Sequence, residues 1–171
     1  TRSDRDWSSD VCSSDLSVVR ANPTAQVVPF EHDVVEGLQL NPRDAVLTNA
    51  QKLASIGGGG TNCSAPLAWL NAQNAAGDLV IFVSDNESWV DPRGGRGTAA
   101  MREWSVFKAR NPRARLVCID VQPAGTTQAA DREDILNIGG FSDHVFEVIA
   151  QFAAGTLEGE YWTRMIKQVE L

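Results

Sequence analysis

Two loops carry the residues best suited to chemistry. GGGGTN, at 57–62, sets the hydroxyl of Thr61 behind four successive glycines, which permit a tight backbone path and close approach of a ligand. SDNES, at 84–88, places Asp85 directly after the apolar run LVIFVS. A carboxylate leaving a buried strand is costly unless it meets a cation or several N–H donors. A hard cation such as Mg²⁺ suits a set of carboxylate, hydroxyl and water. Thr61 and Asp85 are therefore the candidate metal ligands. Plainer readings stand beside this one: the glycines as a helix stop and flexible turn, and Asp85 as a cap on the turn that follows. Glu87 reads as solvent-exposed.

Other chemistries find less support. A phosphate loop of the GxxxxGK[ST] type needs a lysine, and Thr61-Asn62-Cys63 stands in its place. The GxGxxG reading fails because no strand precedes the glycines. A cysteine nucleophile would pair Cys63 with His32 or His144, yet nothing in the pattern orients a base towards the thiol. Cys118 falls in mid-strand and reads as plain core. Asp120 ends the same strand at a rim position, where structural capping is the favoured role. With no activated nucleophile or acid/base pair in view, the chain is not expected to be an enzyme.

These loops need a scaffold, and the hydrophobic pattern supplies one. Leu79–Ser84 is continuously apolar and bounded by turn residues, the mark of a central parallel strand covered on both faces. A further strand is expected at 116–121. Short strands are expected at 26–30 and 33–40, with Glu31 and His32 at the turn between them. A helix is expected from a cap at Asn41, with Pro42 in its first turn, Val46, Leu47, Ala50, Leu53 and Ala54 on one face, and Gly57 as its stop. Ser64 is expected to cap another, with Pro66 in its first turn, Leu67, Trp69 and Leu70 as anchors, and Gly77 at its end. Met101, Trp104 and Phe107 mark a helix face running to Asn111-Pro112. Residues 131–136 read as a helical turn. Asp143 caps a last helix through Val145, Phe146, Ile149 and Phe152. Strand and helix alternate, which argues for a Rossmann-like, doubly wound, mostly parallel α/β sheet with helices on both faces.

At 171 residues, 43% of them hydrophobic, the chain suffices for one domain and one core. A net charge of −7 opposes a free-standing electrostatic grip on nucleic acid, which needs a basic face to displace phosphate counterions. Three cysteines without CxxC spacing suggest neither a disulfide framework nor zinc, and a reducing, cytoplasmic setting fits them best. No apolar run approaches the roughly 20 residues needed to cross a bilayer, so no membrane partner is expected. Residues 1–16 stand apart. They repeat Ser-Ser-Asp and lack any apolar period, which reads as a disordered tail, and in DWSSDVCSSDL they resemble the translation of a sequencing-library adapter.

Beyond that segment, GGGGTNCSAPL, DLVIFVSDNESW, ARLVCIDVQP and ILNIGGFSDHVFEVIAQF follow one another in an order that resembles a known family. It is the von Willebrand factor A module that closes the bacterial Ro-type, TROVE-containing RNA-binding proteins. The likeness covers residues 17–155, leaving 156–171 as a C-terminal extension. It implies a metal-ion-dependent adhesion site built from three loops: an Asp-x-Ser-x-Ser element, a Thr in a second loop and an Asp after the fourth strand. Thr61 and Asp85 match the last two. The Asp-x-Ser-x-Ser element and the first, central strand are absent from the matched part, and Asn62 stands where an Asp is common. The strand order implied is 3-2-1-4-5-6, so the missing strand belongs between residues 26–30 and Leu79–Ser84. In function the likeness implies a module of a ribonucleoprotein concerned with small noncoding RNA and RNA quality control. The RNA would be held by a ring of helical repeats that this chain lacks, and a protein ligand could meet the metal face. A generic metal-dependent adhesion module is the alternative.

Overall fold

The structure, a computed structural model, describes residues 22, 24–38, 40–56, 62–84, 98–120, 132–140 and 144–156. Among them run α1 (Val46–Ala54), α2 (Ala65–Ala72), β1 (Leu79–Ser84), α3 (Thr98–Arg110), β2 (Arg115–Asp120), β3 (Ile135–Gly139) and α4 (His144–Ala154). The strands form one parallel sheet in the order β1-β2-β3. Leu79 lies opposite Arg115 and Ser84 opposite Asp120, while Leu116 and Asp120 of β2 face Ile135 and Gly139 on the other side.

Side chains on a strand alternate between its faces, so each strand divides its apolar residues between two cores. Phe82, Leu116, Cys118 and Ile135 join Leu67, Trp104, Phe107 and Ala114 in one buried cluster, with Val80, Leu70 and Met101 packed against it. Val117 and Ile119 join Val145, Ile149 and Phe152 in the other, with Leu79, Ile81, Val83, Leu136 and Ile138 against it. Helices α2 and α3 thus cover one face and α4 the other. This is the three-layer arrangement expected for apolar strands connected through helices. Fully burying each such Leu, Ile, Val or Phe contributes roughly 1.5–3 kcal/mol. The middle strand contributes most, because Leu116, Val117, Cys118 and Ile119 are all buried.

The helix faces follow from spacing. Trp104 and Phe107 lie three residues apart on α3 and stack with ring centroids 5.7 Å apart. Phe30 meets Phe82 edge-on at 5.6 Å. On α4, Val145, Ile149 and Phe152 are buried and Phe146 is half-buried. Arg115 lays its guanidinium 5.0 Å from the centre of the Phe152 ring. The chain leaves α4 at Gly155 with φ of 74°, and a Cβ there would lie 2.9 Å from the same guanidinium. The left-handed φ is what favours glycine at this position.

Several local expectations are corrected. Among the described residues, 26–30 and 33–38 form no strand; they meet in one antiparallel bridge, Phe30 to Val34. Val35 N–H donates to the Pro29 carbonyl at 2.8 Å, but proline has no N–H to return, so the ladder stops there. The first helix starts at Val46, not at Asn41-Pro42. Asn41 instead makes a turn, its side-chain oxygen accepting from Arg43 N–H at 2.9 Å and its carbonyl from Asp44 N–H at 3.0 Å. On α1 the inward residues are Asn49 and Ala50, whereas Leu47 is 67% exposed.

Helix α2 ends at Ala72, before Gly77, and Asn74 takes the left-handed position with φ of 52°. Asparagine tolerates that region better than most residues. Residues 135 and 136 belong to β3, not to a helical turn. The alternation of Ile135, Leu136 and Ile138 serves both cores, a period-2 pattern too short to stand out in sequence. The second predicted strand runs Arg115–Asp120, one residue earlier than expected. Among the described residues nothing pairs with the outer edge of β1, where the family order calls for a further strand.

Candidate functional site at the carboxyl rim of the sheet

In a parallel sheet every strand ends on the same rim, and loops leaving that rim converge. Here the rim consists of Ser84, Asp120 and Gly139, brought side by side by the strand register. Ser84 is 5% exposed and Asp120 is half-buried. Gly140 N–H donates to the Asp120 carbonyl at 2.8 Å, so the β3 turn is tied to the end of β2. Its φ of 83° is open to glycine and strained for other residues. Asp85, the next residue after Ser84, lies outside the described residues, as do Glu87 and the rest of the SDNES loop.

Thr61 also lies outside them, but its neighbour Asn62 is fully placed. Asn62 N–H donates to the Glu31 carbonyl at 2.8 Å, and its amide nitrogen donates to the His32 carbonyl at 3.0 Å. Its side-chain oxygen accepts from Ser64 N–H at 3.1 Å and Ser64 Oγ at 2.7 Å. Ser64 was expected to cap α2 and makes no side-chain cap bond. Its backbone is already helical, with φ −86° and ψ −22°, so the capping falls to Asn62 two residues earlier. The Asn-x-Ser spacing was the signal for this in the sequence. Asn62 thus acts as a bracket between α2 and the turn at 31–33.

Cys118 is buried in β2, and burial, with a smaller contribution from Cys63, pushes its pKa up to about 12, so it stays neutral. Cys63 is half-buried and packs on the α2–α3 side of the sheet. Among the described residues no disulfide is formed. No three His, Cys, Asp or Glu side chains gather to hold a metal among the described residues. What the described rim offers is oxygen, from Ser84 and Asp120. That donor chemistry fits a hard divalent cation and not a soft one.

A second polar cluster, unforeseen from sequence, occupies the turn that leads into β3, away from the rim. Trp104 Nε1 donates to Asp134 Oδ2 at 2.9 Å, and Arg132 donates to both carboxylate oxygens at 2.9 and 3.0 Å. Lys108 stands 4.0 Å from the same carboxylate and donates to the Ala114 carbonyl at 2.6 Å. Burial raises the Asp134 pKa, but the hydrogen bonds from Trp104 and Arg132 and the Arg132 charge outweigh it, and the net shift is downward. The cluster orients α3 against β3; it is a structural feature.

A parallel sheet with helices on both faces and a Ser-Asp sequence leaving its apolar strand β1 is the construction of a von Willebrand factor A domain. The chain belongs to the Ro60 vWA domain family, which matches residues 7–153. It is similar to the RNA-binding protein RO60 of Deinococcus radiodurans, 27% identical over 143 residues that make up 82% of this chain and 26% of that protein. It is also similar to the crystal structure of the Deinococcus radiodurans RO (RSR) protein, with a TM-score of 0.73 at 23% identity. The alignment covers 88% of this chain and 29% of that one. At that identity the second likeness speaks for the fold alone. The chain spans about a quarter of the length of the curated relative it matches.

Proposed function

We propose that this chain serves as the vWA module of a Ro-type RNA-binding protein, a non-catalytic part of a ribonucleoprotein concerned with small noncoding RNA and RNA quality control. The observation that carries the reading is the family match over residues 7–153, together with a relative that is named as an RNA-binding protein. The RNA would be held by the helical-repeat region of the parent protein, since a chain with net charge −7 has little means of releasing phosphate counterions. The reading places the protein in the cytoplasm. Among the described residues no helix is long and apolar enough to cross a membrane.

At the rim, Thr61 and Asp85 would supply oxygen to Mg²⁺ or a similar divalent cation. Such an ion offers its remaining positions to water and to the carboxylate of a protein ligand. This chain's own contribution is to seat the two residues. Asn62 fixes the backbone just after Thr61, and the buried β1–β2 pairing fixes the backbone just before Asp85.

The test is co-purification. The full-length protein carrying this module should retain a small noncoding RNA, and removing residues 17–155 should leave most of that RNA bound. Loss of the RNA with the module would place the grip here and overturn the division of labour.

A further inference from the structure

We draw no further inference here: the strongest candidate, the apolar outer edge of the strand Leu79–Ser84, has no neighbouring strand among the described residues, and nothing in the structure shows what covers it.

Discussion

Trp104 donates its indole N–H to Asp134 at 2.9 Å, joining a fully buried ring on α3 to the turn that feeds β3. Leu116 N–H of the middle strand donates to the Asp134 carbonyl at 2.9 Å, so the same residue also helps to start the β2–β3 pairing. Replacing Asp134 with Ala leaves the buried indole N–H without its acceptor. A lost partner of that kind costs about 1–3 kcal/mol. Denaturant unfolding at neutral pH should show a loss in that range.

The pH dependence has a definite sign. The folded Asp134 pKa lies below its unfolded value, so its contribution is complete above the ordinary carboxylate range and is lost as pH falls through the folded value. The difference between the parent chain and D134A should therefore be largest near neutrality and shrink below about pH 4. A difference that grew on acidification would contradict the assignment.

Asn49 offers a second test of the polar interior. It is fully buried on α1, where its amide nitrogen donates to the Asn41 carbonyl at 2.8 Å and its oxygen accepts from Asn41 N–H at 3.3 Å. Asn49→Ala should destabilise the chain by about 1–3 kcal/mol, because the Asn41 N–H loses its partner and the Asn41 carbonyl keeps only Asp44 N–H. Leu47→Ala, two residues away and exposed, should change stability by no more than about 0.5 kcal/mol. Equal effects at the two positions would show that α1 packs through a different face.

The contrast between those two residues explains what was legible in the sequence. Long signals read correctly: the LVIFVS strand, the Met101–Trp104–Phe107 face and the last helix were all set by apolar periodicity extended over several turns or a whole strand. The short signals failed where a local polar bond competed. Asn41-Pro42 has the composition of a helix start, yet its amide and carbonyl are held by Asn49, eight residues on, and the helix begins a turn later. Ser64 stands at the N-cap position as read, but its hydroxyl donates to Asn62 and makes no cap bond. Strand β3 was hidden because Asn137 and Gly139 interrupt its apolar run, and only pairing with β2 reveals its register. Of the candidate site, the strand that precedes Asp85 and the helix that follows Thr61 were legible, since apolar burial dictates both. The two candidate ligands themselves lie outside the described residues.

Metal binding at Thr61 and Asp85 should be weak. Two protein oxygens are few for a cation that takes about six, with water completing the shell. Calorimetric titration with Mg²⁺ is expected to give a dissociation constant on the order of millimolar or higher. Heat that saturates with micromolar affinity and vanishes in Asp85→Ala would mean that further ligands from this chain complete the site.

The central claim is that this chain is the vWA module of an RNA-binding protein and not its RNA grip, and equilibrium titration with RNA tests it most directly. Fluorescence anisotropy with a labelled small noncoding RNA at physiological salt should show no saturable binding by this chain at micromolar concentration, as its net charge of −7 implies. Saturable submicromolar binding that weakens steeply with added salt would contradict the account and place a phosphate-contacting surface on the module itself.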